Sequence, residues 1–459
     1  MPERLMALML AVLVTGCASQ PDDRPQPPVT IPDSFSSSGD EPTPKRWWQS
    51  FGDEQLNQLV KEGLNANPDV LSAWQRLRQS RAAVNQQAAD RYPNLDATAN
   101  GELSKSDNSN TTESLNLGLS SEYEVDLWGR INSRVEAEQF RARASRADYQ
   151  TAALTLSAEL ARTWYQLRAQ RAKLELTNAQ IETNRNVMTL LEAQFGNGQT
   201  GSADVLRQRQ LLESTEEQRL QVASQQQVLA NQLAVLLGRA PANSPLPKGR
   251  GLPTELPPLP ETGVPADLVQ RRPDVRKAFH QLQAADAELA AAISNQFPRL
   301  TLSASASTRE NSVEDLFDNW ATALAGNLVA PLIDAGQRDA QVNQARAKRR
   351  QRLYEYGQTI LTAFEEVENA LVQERKQRQA ISRLQRQLEL AETTYDQLRQ
   401  QYFNGQVGYI EVLNALTDRQ DLERSLISAR RQLVEYRIAL YRALAGGFAP
   451  RDNSASETG

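Results

Sequence analysis

"NGQTGSADVL" at residues 197–206 returns 207 residues later as "NGQVGYIEVL" at residues 404–413. Asparagine, glycine, glutamine, glycine, valine and leucine match in place, and helix-forming sequence flanks both copies. Gly196, Gly201 and Ser202 mimic a phosphate-binding loop, but neither copy has a lysine after its second glycine, and no predicted strand precedes either one. A glycine-rich turn between two helices fits both copies, because glycine at a helix end takes the left-handed conformation that closes the last turn.

The repeat extends outward from these two turns. "NPDV" at 67–70 returns as "RPDV" at 272–275, and "RYPNL" at 91–95 returns as "QFPRL" at 296–300. This period is far longer than that of solenoid repeats. The chain therefore consists of two homologous halves, each of which is a whole structural unit.

Each half begins with a predicted helix, at 69–90 and 274–295, which ends at a proline-containing segment. Segments in which small, polar and apolar residues alternate come next, and they have the length and period of tilted strands in a membrane barrel. The sequence predicts four such strands, at 95–104, 113–128, 300–309 and 320–333.

A very long helix follows the strands in each half, at 131–195 and 339–402, and it spans roughly 100 Å. Apolar residues at coiled-coil spacing favour packing against a second helix. They are Leu160, Leu167, Leu174, Ile181, Met188 and Phe195, and then Ile381, Leu384, Leu388, Ala391, Tyr395, Leu398 and Tyr402. The helices before the strands and after the turn (202–238 and 409–445) together match the long helix in length. The sequence therefore predicts two antiparallel hairpins with the glycine turns at their far tips.

Four strands cannot close a barrel, since the smallest membrane barrels have eight. Open strand edges cannot face lipid either. The sequence therefore predicts an α+β membrane protein in which several chains share one barrel. Two chains would give eight strands, and three would give twelve.

The composition excludes several classes of function. The 51 basic and 56 acidic residues leave a net charge of −5, so nucleic acid is not an expected partner. One cysteine and one histidine exclude an internal disulfide and a zinc cluster. His280 lies in an alanine-rich helical stretch without a nucleophile motif, and we interpret it as a structural or solvent-facing histidine. After residue 17, no stretch has the roughly 18 apolar residues of a membrane-spanning helix.

The amino end resembles a cleavable secretion signal. "LMALMLAVLV" at 5–14 is too short to span a membrane and has the layout of a secretory signal. "LVTGC" at 13–17 resembles the bacterial lipobox, which implies cleavage before Cys17 and a diacylglycerol on its thiol. An incidental cysteine in a cytosolic protein and an ordinary signal peptide are the alternatives. The proline- and serine-rich stretch 18–45 predicts an extended tether.

The sequence predicts six consecutive parts. They are a lipoprotein signal peptide at 1–16, a lipidated tether at 17–46, the first repeat at 47–247, a proline-rich linker at 248–265, the second repeat at 266–447 and a disordered tail at 448–459. Each repeat is expected to hold two strands and one helical hairpin.

Together with the lipobox and the paired turns, "WWQSFGDEQLNQLV" at 47–60 and "YEVDLWGR" at 123–130 resemble outer-membrane efflux proteins of the TolC type, in their lipoprotein branch. The resemblance covers nearly the whole mature chain. It implies a homotrimer with a twelve-stranded barrel in outer-membrane lipid and a helical tunnel through the periplasm. Such a duct has no cofactor or catalytic site, and it passes drugs or other small molecules when a periplasmic adaptor and an inner-membrane resistance-nodulation-division pump engage it.

The sequence also allows other interpretations of its function. Similar ducts serve type I secretion or metal export. A periplasmic coiled-coil scaffold would fold residues 95–128 and 300–333 as small hairpins. An exported enzyme, such as a cell-wall hydrolase, would need a catalytic constellation that the sequence does not show.

The resemblance also implies a gate in "GYIEVLNAL" at 408–416. Relatives often carry aspartates just after the second turn, and the matching positions here are Glu411 and Asn414. Ile410 matches an apolar plug, and Asp418, one helical turn after Asn414, is expected to supply the missing carboxylate ring. The alternative is a solvated helix face.

The turn residues are the expected adaptor contacts. They are Asn197, Gly198, Gln199 and Gly201 in the first turn, and Asn404, Gly405, Gln406 and Gly408 in the second. The alternative is that they only form the turn, and an exposed tip with a fixed backbone is compatible with both roles.

Overall fold

The computed structural model describes residues 28–42, 44–105, 111–241, 251–253, 255–444 and 448. Cys17 and the predicted signal peptide lie outside these residues, and so does the predicted tail apart from Phe448. The two halves of the described chain contain the same strands and long helices in the same order.

The first half has a 3₁₀ turn, two shorter helices, two strands and two long helices. Their bounds are Trp47–Phe51 for the turn, then α1 Glu54–Ala66, α2 Pro68–Ala89, β1 Asp96–Lys105, β2 Thr111–Val125, α3 Arg130–Gly196 and α4 Ser202–Leu236. The second half repeats the pattern. Its elements are α5 Pro265–Arg271, α6 Pro273–Ser294, β3 Arg299–Glu310, β4 Ala321–Val329, α7 Gln337–Phe403 and α8 Tyr409–Leu444.

Two predicted strand ends were wrong, and local chemistry explains both. The strand expected at 113–128 stops at Val125, because Asp126 turns to cap α3 and its Oδ1 accepts a hydrogen bond from the Ile131 backbone N at 2.9 Å. The strand expected at 320–333 stops at Val329, shortly before Pro331. Proline has no N–H to donate to a strand ladder, which disfavours further pairing.

The four strands form one antiparallel sheet in the order β1-β2-β3-β4. β2 and β3 pair in the centre although α3 and α4 separate them in the chain, and Ser120 lies opposite Ser305. β1 and β4 are the two edges of the sheet, and within the described chain neither edge has a second partner. A single chain therefore presents a sheet that is open on both sides.

The register sorts the side chains of the sheet into an apolar and a polar face. Residues directly opposite each other in an antiparallel pair point to the same side. Tyr123 and Gly326 lie opposite Leu302, whereas Glu122 and Ala325 lie opposite Ser303. One face of β3 carries Leu300, Leu302, Ala304 and Ala306, and the other carries Thr301, Ser303, Ser305 and Ser307. Such alternation is typical of a wall between hydrocarbon and water.

Below the sheet, the helices form one layer. α2 and α4 meet end to end, because the Asn67 side chain donates a hydrogen bond from Nδ2 to the Leu236 carbonyl at 3.0 Å. α6 and α8 meet in the same way, with Arg272 Nη1 3.3 Å from the Ala443 carbonyl oxygen. Each stacked pair packs on a long helix, and the strips lie side by side in the order α2/α4, α3, α6/α8, α7. The two predicted hairpins are thus present, and their turns lie at the far end from the sheet.

The core of the layer follows the predicted apolar seam of α3. Leu160, Leu167, Ile181 and Met188 are buried, and Trp164 is buried beside them. Phe195 departs from the pattern: half of it is exposed, because α3 ends one residue later and no other part of the described chain covers that side. Helix-against-helix burial therefore holds along the shaft and stops at the tip.

The N-terminal segment does not extend freely from the described body. Residues 28–42, here called the strap, run along α7, where Phe35 packs edge-on against Phe364 with ring centroids 6.2 Å apart. The Ser36 backbone N donates to Glu368 at 2.8 Å, and the Gly39 backbone N donates to the Pro260 carbonyl at 3.2 Å. This part of the predicted tether is extended but docked.

The helices were also compared with the requirements of a membrane span. Among the described residues, none of the helices combines the necessary length with enough apolar character to cross a bilayer.

Candidate functional site

The two hairpin tips have the same backbone. Gly198 has φ +72° and Gly405 has φ +69°, both in the left-handed region. In each tip the amide three residues past the last helical residue closes back onto the helix. Gln199 N donates to the Gln194 carbonyl at 2.8 Å, and Gln406 N donates to the Gln401 carbonyl at 2.9 Å. This is the Schellman closure, which satisfies carbonyls at a helix end and favours glycine at its left-handed position.

All eight predicted tip residues are exposed. They are Asn197, Gly198, Gln199, Gly201, Asn404, Gly405, Gln406 and Gly408. The two tips stand side by side, because the Tyr402 hydroxyl on α7 donates to Gln194 Oε1 on α3 at 2.7 Å. An apolar cluster behind them, with Leu191 from α3, Tyr395 from α7 and Leu416 from α8, holds the hairpins together. The tips therefore form one exposed polar surface with a fixed backbone.

The two tips differ in the partners of their carboxylates. In the first tip, Asp204 accepts a hydrogen bond from the Thr200 hydroxyl at 3.1 Å and pairs with Arg207 at 3.2 Å. The repeat places Glu411 at the position of Asp204 and Asn414 at that of Arg207. Glu411 is exposed and has no ion pair within the described residues. The second tip thus offers an acidic group that the first tip neutralises.

The four predicted gate residues lie along one face of α8. Ile410, Glu411, Asn414 and Asp418 follow each other at helical spacing, and all four are exposed, Ile410 by 37%. The opposite face, with Leu413 and Leu416 among others, is buried. A single chain supplies one such stripe, so a ring of these groups requires further copies of the chain.

Sequence reasoning missed a buried polar network just above the tips. The Tyr409 hydroxyl donates to Gln208 Oε1 at 2.5 Å, and Gln208 Nε2 donates to the Asn184 carbonyl at 2.8 Å. The Asn184 side chain donates to Thr215 at 3.0 Å and accepts from Gln420 at 2.9 Å. Burial raises the pKa of the Tyr409 hydroxyl far above its usual range, so this residue stays a hydrogen-bond donor.

This network joins the two hairpins. Asn184 lies on α3 and Gln420 on α8, so the 2.9 Å bond between them crosses from the first repeat to the second. Buried polar groups with satisfied partners fix one arrangement, because any slip leaves a donor or acceptor without a partner. The only sequence signal was glutamine and asparagine at core-facing positions of long helices.

Both edges of the helical layer carry exposed apolar side chains. Leu220 on α4 is 61% exposed, and Leu390 on α7 is 68% exposed. Each belongs to a stripe at helical spacing, and the stripes are Leu206, Leu220, Val228 and Val235 on α4, and Tyr354, Leu361, Val372 and Leu390 on α7. These edges lie below the two open edges of the sheet. The helical layer, like the sheet, is therefore open on both sides within the described chain.

The chain's histidine has a packing role, which is the first of the two predicted alternatives. His280 on α6 is half-buried, lies nearly parallel to Phe140 with ring centroids 6.4 Å apart, and places Nδ1 2.8 Å from Gln283 Oε1. Burial lowers its pKa. In the part of the chain that the structure describes, three or more histidine, cysteine or acidic residues do not gather into a group that could hold a metal ion.

An amphipathic sheet with open edges, above helical hairpins with open edges and polar tips, defines a channel built from several chains. A family model described as "Outer membrane efflux protein" matches residues 59–239 and 264–446. The chain belongs to this family.

Relatives cover nearly the whole chain. The cation efflux system protein CusC of Escherichia coli strain K12 is 30% identical over 474 residues, which is 97% of this chain and 100% of CusC. The pyoverdine export outer membrane protein OpmQ of Pseudomonas aeruginosa is 30% identical over 424 residues, or 88% of each chain. A crystal structure of CusC superimposes with a TM-score of 0.84 at 27% identity, covering 92% of this chain and 98% of CusC.

These findings confirm the predicted fold class and the predicted function. The chain is an outer-membrane efflux channel, with four strands that it shares in a trimeric barrel and long helices that extend into the periplasm. It acts as a homotrimer, together with an adaptor protein and an inner-membrane pump, and forms the exit duct of a tripartite efflux system.

Proposed function

We propose that the exposed stripe of α8 is the gate of this duct. Its residues are Ile410, Glu411, Asn414 and Asp418. The observation that carries the proposal is that Glu411 has no ion pair within the described residues, whereas its counterpart Asp204 is held by Thr200 and Arg207. Because the carboxylate of Asp204 is neutralised and that of Glu411 is not, the pair supports a function that only the second tip has.

In the trimer, three copies of the stripe surround the axis. Three Glu411 carboxylates attract cations to the mouth and repel anions. Asn414 closes the next level through amide hydrogen bonds without charge, and Asp418 adds a second acidic level one turn further on. Ile410 narrows the mouth with an apolar side chain. The duct makes and breaks no bond, and the pump, of the resistance-nodulation-division class, supplies the energy.

The eight exposed tip residues are the proposed contact surface for the adaptor. Their backbone is fixed by the two Schellman closures, so a partner that binds them does not have to order a loop first. The list is Asn197, Gly198, Gln199, Gly201, Asn404, Gly405, Gln406 and Gly408. Engagement there reaches the gate directly, since Glu411 begins only three residues after Gly408.

Cys17 is the proposed site of lipidation, by which the chain is anchored in outer-membrane lipid. The proposal rests on the lipobox at residues 13–17. Mass spectrometry of the mature chain would show an acylated cysteine at its start, and a Cys17→Ala variant would lose that mass.

The proposed cargo is drugs or other small molecules. Cations are a second candidate, because the Escherichia coli relative is a cation efflux protein and the stripe of α8 is acidic. Export of secreted proteins is a third use of such ducts, which none of the described groups favours.

Conductance in a planar bilayer tests the gate. We expect small, cation-preferring currents from the purified trimer, and larger, less selective ones after Glu411→Ala and Asp418→Ala together. The matched control is Asp204→Ala, which removes the corresponding carboxylate of the first tip. Equal currents from all three proteins would refute the gate at Glu411 and move the constriction elsewhere.

A further inference from the structure

A cleft lies between α1, α3 and the segment that leads into the 3₁₀ turn, and its volume is about 910 Å³. α1 buries its apolar side and turns its polar side to the cleft, with Asn57, Lys61 and Asn65 at helical spacing. α3 forms the other helical wall with Arg146 and Gln150, which are about one turn apart. Two helix faces therefore form a groove of cations and amides.

The cleft carries an excess of positive charge. Its cationic side chains are Lys45, Arg46, Lys61 and Arg146. All four are exposed, and among the described residues none of them has an ion pair or a side-chain hydrogen bond. Of the described residues that line the cleft, Glu54 is the one acid. Glu62, which follows Lys61 in the chain, pairs with Arg239 at 2.5 Å instead. The cations of the cleft are therefore available to an external anion.

Two amide oxygens of the cleft need hydrogen-bond donors that the described chain does not supply. Gln150 is only 8% exposed, and its Oε1 has no hydrogen-bond partner among the described residues. Asn57 Oδ1 is buried and lacks a partner there as well, although Asn57 Nδ2 donates to Glu54 at 3.2 Å. A buried acceptor without a donor is costly. The cleft is therefore suited to a ligand that brings N–H or O–H donors together with negative charge.

An extended acidic peptide combines these two properties. Its backbone N–H groups can donate to Gln150 and Asn57, and its carboxylates can accept charge-assisted hydrogen bonds from Lys61 and Arg146. A sugar polymer matches the cleft less well, because the indole of Trp48 is 4% exposed and does not offer a face on which a sugar ring could stack. Lipid head groups are distant, because Arg146 lies about 24 Å along α3 from the end of that helix at the sheet.

We propose that this cleft is the docking site for an extended acidic segment of a periplasmic protein partner. The site is separate from the tips, because Arg146 lies about 75 Å along α3 from Gly196. The four cations attract the acidic segment and fix its register, since complementary charge governs both the rate and the specificity of association. Gln150 and Asn57 then bind the peptide backbone. Each trimer carries three such sites, one on each chain.

Fluorescence anisotropy of a labelled peptide tests the site. The probe is a fluorescein-labelled peptide in which glutamate and serine alternate, and the purified full-length trimer is titrated into it. We expect saturable binding, which Lys61→Ala and Arg146→Ala together weaken by about tenfold or more. The matched control also removes one lysine and one arginine, through Arg375→Ala and Lys376→Ala on α7. Both control residues are exposed and have no ion pair within the described chain, and the affinity should stay unchanged.

A neutral substitution separates recognition of the peptide backbone from attraction of charge. Gln150→Leu keeps the net charge and the approximate size of the side chain and removes the amide acceptor. The affinity for the glutamate peptide should fall by about fivefold. The melting temperature of the trimer should not fall, because the substitution removes a buried oxygen that has no partner among the described residues. An affinity that Gln150→Leu leaves unchanged would reduce the contact to charge alone and contradict the proposal.

Further outcomes would also overturn the docking site. They are a failure of the intact trimer to bind the glutamate peptide, and equal binding of a peptide with glutamine at every glutamate position. Displacement by inorganic phosphate, beyond that caused by sodium chloride at the same ionic strength, would indicate a site for small anions. Binding that appears only after deletion of residues 449–459 would assign the cleft to the chain's own C-terminal segment. Conductance of the same samples reports separately on the duct, and these substitutions should leave it unchanged.

Discussion

The first and second tips share a backbone and differ in their chemistry. Gly198 and Gly405 have left-handed φ angles within a few degrees of each other, and the same hydrogen bonds close both turns. Asp204 is held by Thr200 and Arg207, whereas Glu411 is exposed and unpaired in the described chain. The two copies share the glycines and hydrogen bonds that form the turn, and they differ in whether the carboxylate beside the turn has a partner. The second copy is therefore the one in which to look for a gate.

The largest expected effect comes from separating the tips. Asn184→Leu removes the crossing bond to Gln420 and leaves a buried amide donor without a partner. The cost is about 1–3 kcal/mol, which is roughly 5- to 150-fold in a local opening equilibrium. Hydrogen exchange should accelerate by that factor in both tips.

Asn178→Leu on the exposed face of the same helix is the control and should leave exchange unchanged. Acceleration confined to the first tip would show that the network does not couple the hairpins.

The next effect tests whether the two turns are equivalent. Gly198→Ala and Gly405→Ala each force a side chain into the left-handed region, which costs about 1–2 kcal/mol. Exchange at Gln199 and Gln406, whose amides close the turns, should rise by similar factors. Gly201→Ala, at φ −86°, is the control and should change little. A large difference between the first two variants would mean that neighbouring residues strain one turn more than the other.

The smallest expected effect comes from a substitution that makes the second tip resemble the first. Asn414→Arg places an arginine three residues after Glu411, as Arg207 follows Asp204. Such a pair contributes only about 0.2–0.5 kcal/mol to the helix. It also neutralises the mouth, so the reversal potential in a salt gradient should show a weaker preference for cations. Asn414→Gln, which adds length without charge, should leave that preference intact; a change there would attribute selectivity to the shape of the mouth.

Much of the fold was predictable because it depends on periodicity. The repeat located both turns, alternation located four strands, and the heptads of α3 identified Leu160 and Leu167 as core. The errors fell where one side chain decides a boundary: Asp126 ends β2 early by capping α3, and the segment with Pro331 is not part of β4.

The rest depends on contacts between segments distant in the chain. Asn184, Gln208 and Gln420 look like solvated residues in glutamine-rich helices, and only the register of one hairpin against the other buries them. The docking of the strap on α7 has the same origin, since Phe35 meets Phe364 only in the folded protein. For the proposed gate, the sequence predicted the residues, and that prediction stays a proposal. The structure added that Glu411 has no ion pair within the described residues, whereas its counterpart Asp204 has one.

The open edges of the sheet have a consequence for how the protein assembles. β1 and β4 each leave a row of backbone donors and acceptors that only another copy can satisfy, and such rows in the isolated chain invite indiscriminate pairing. Native stability is then governed by mass action, and no single chain possesses it alone. A lower concentration of the protein therefore favours dissociation of the trimer, and a higher concentration favours its assembly. The newly exported chain is most prone to wrong strand pairing before it has bound two other copies.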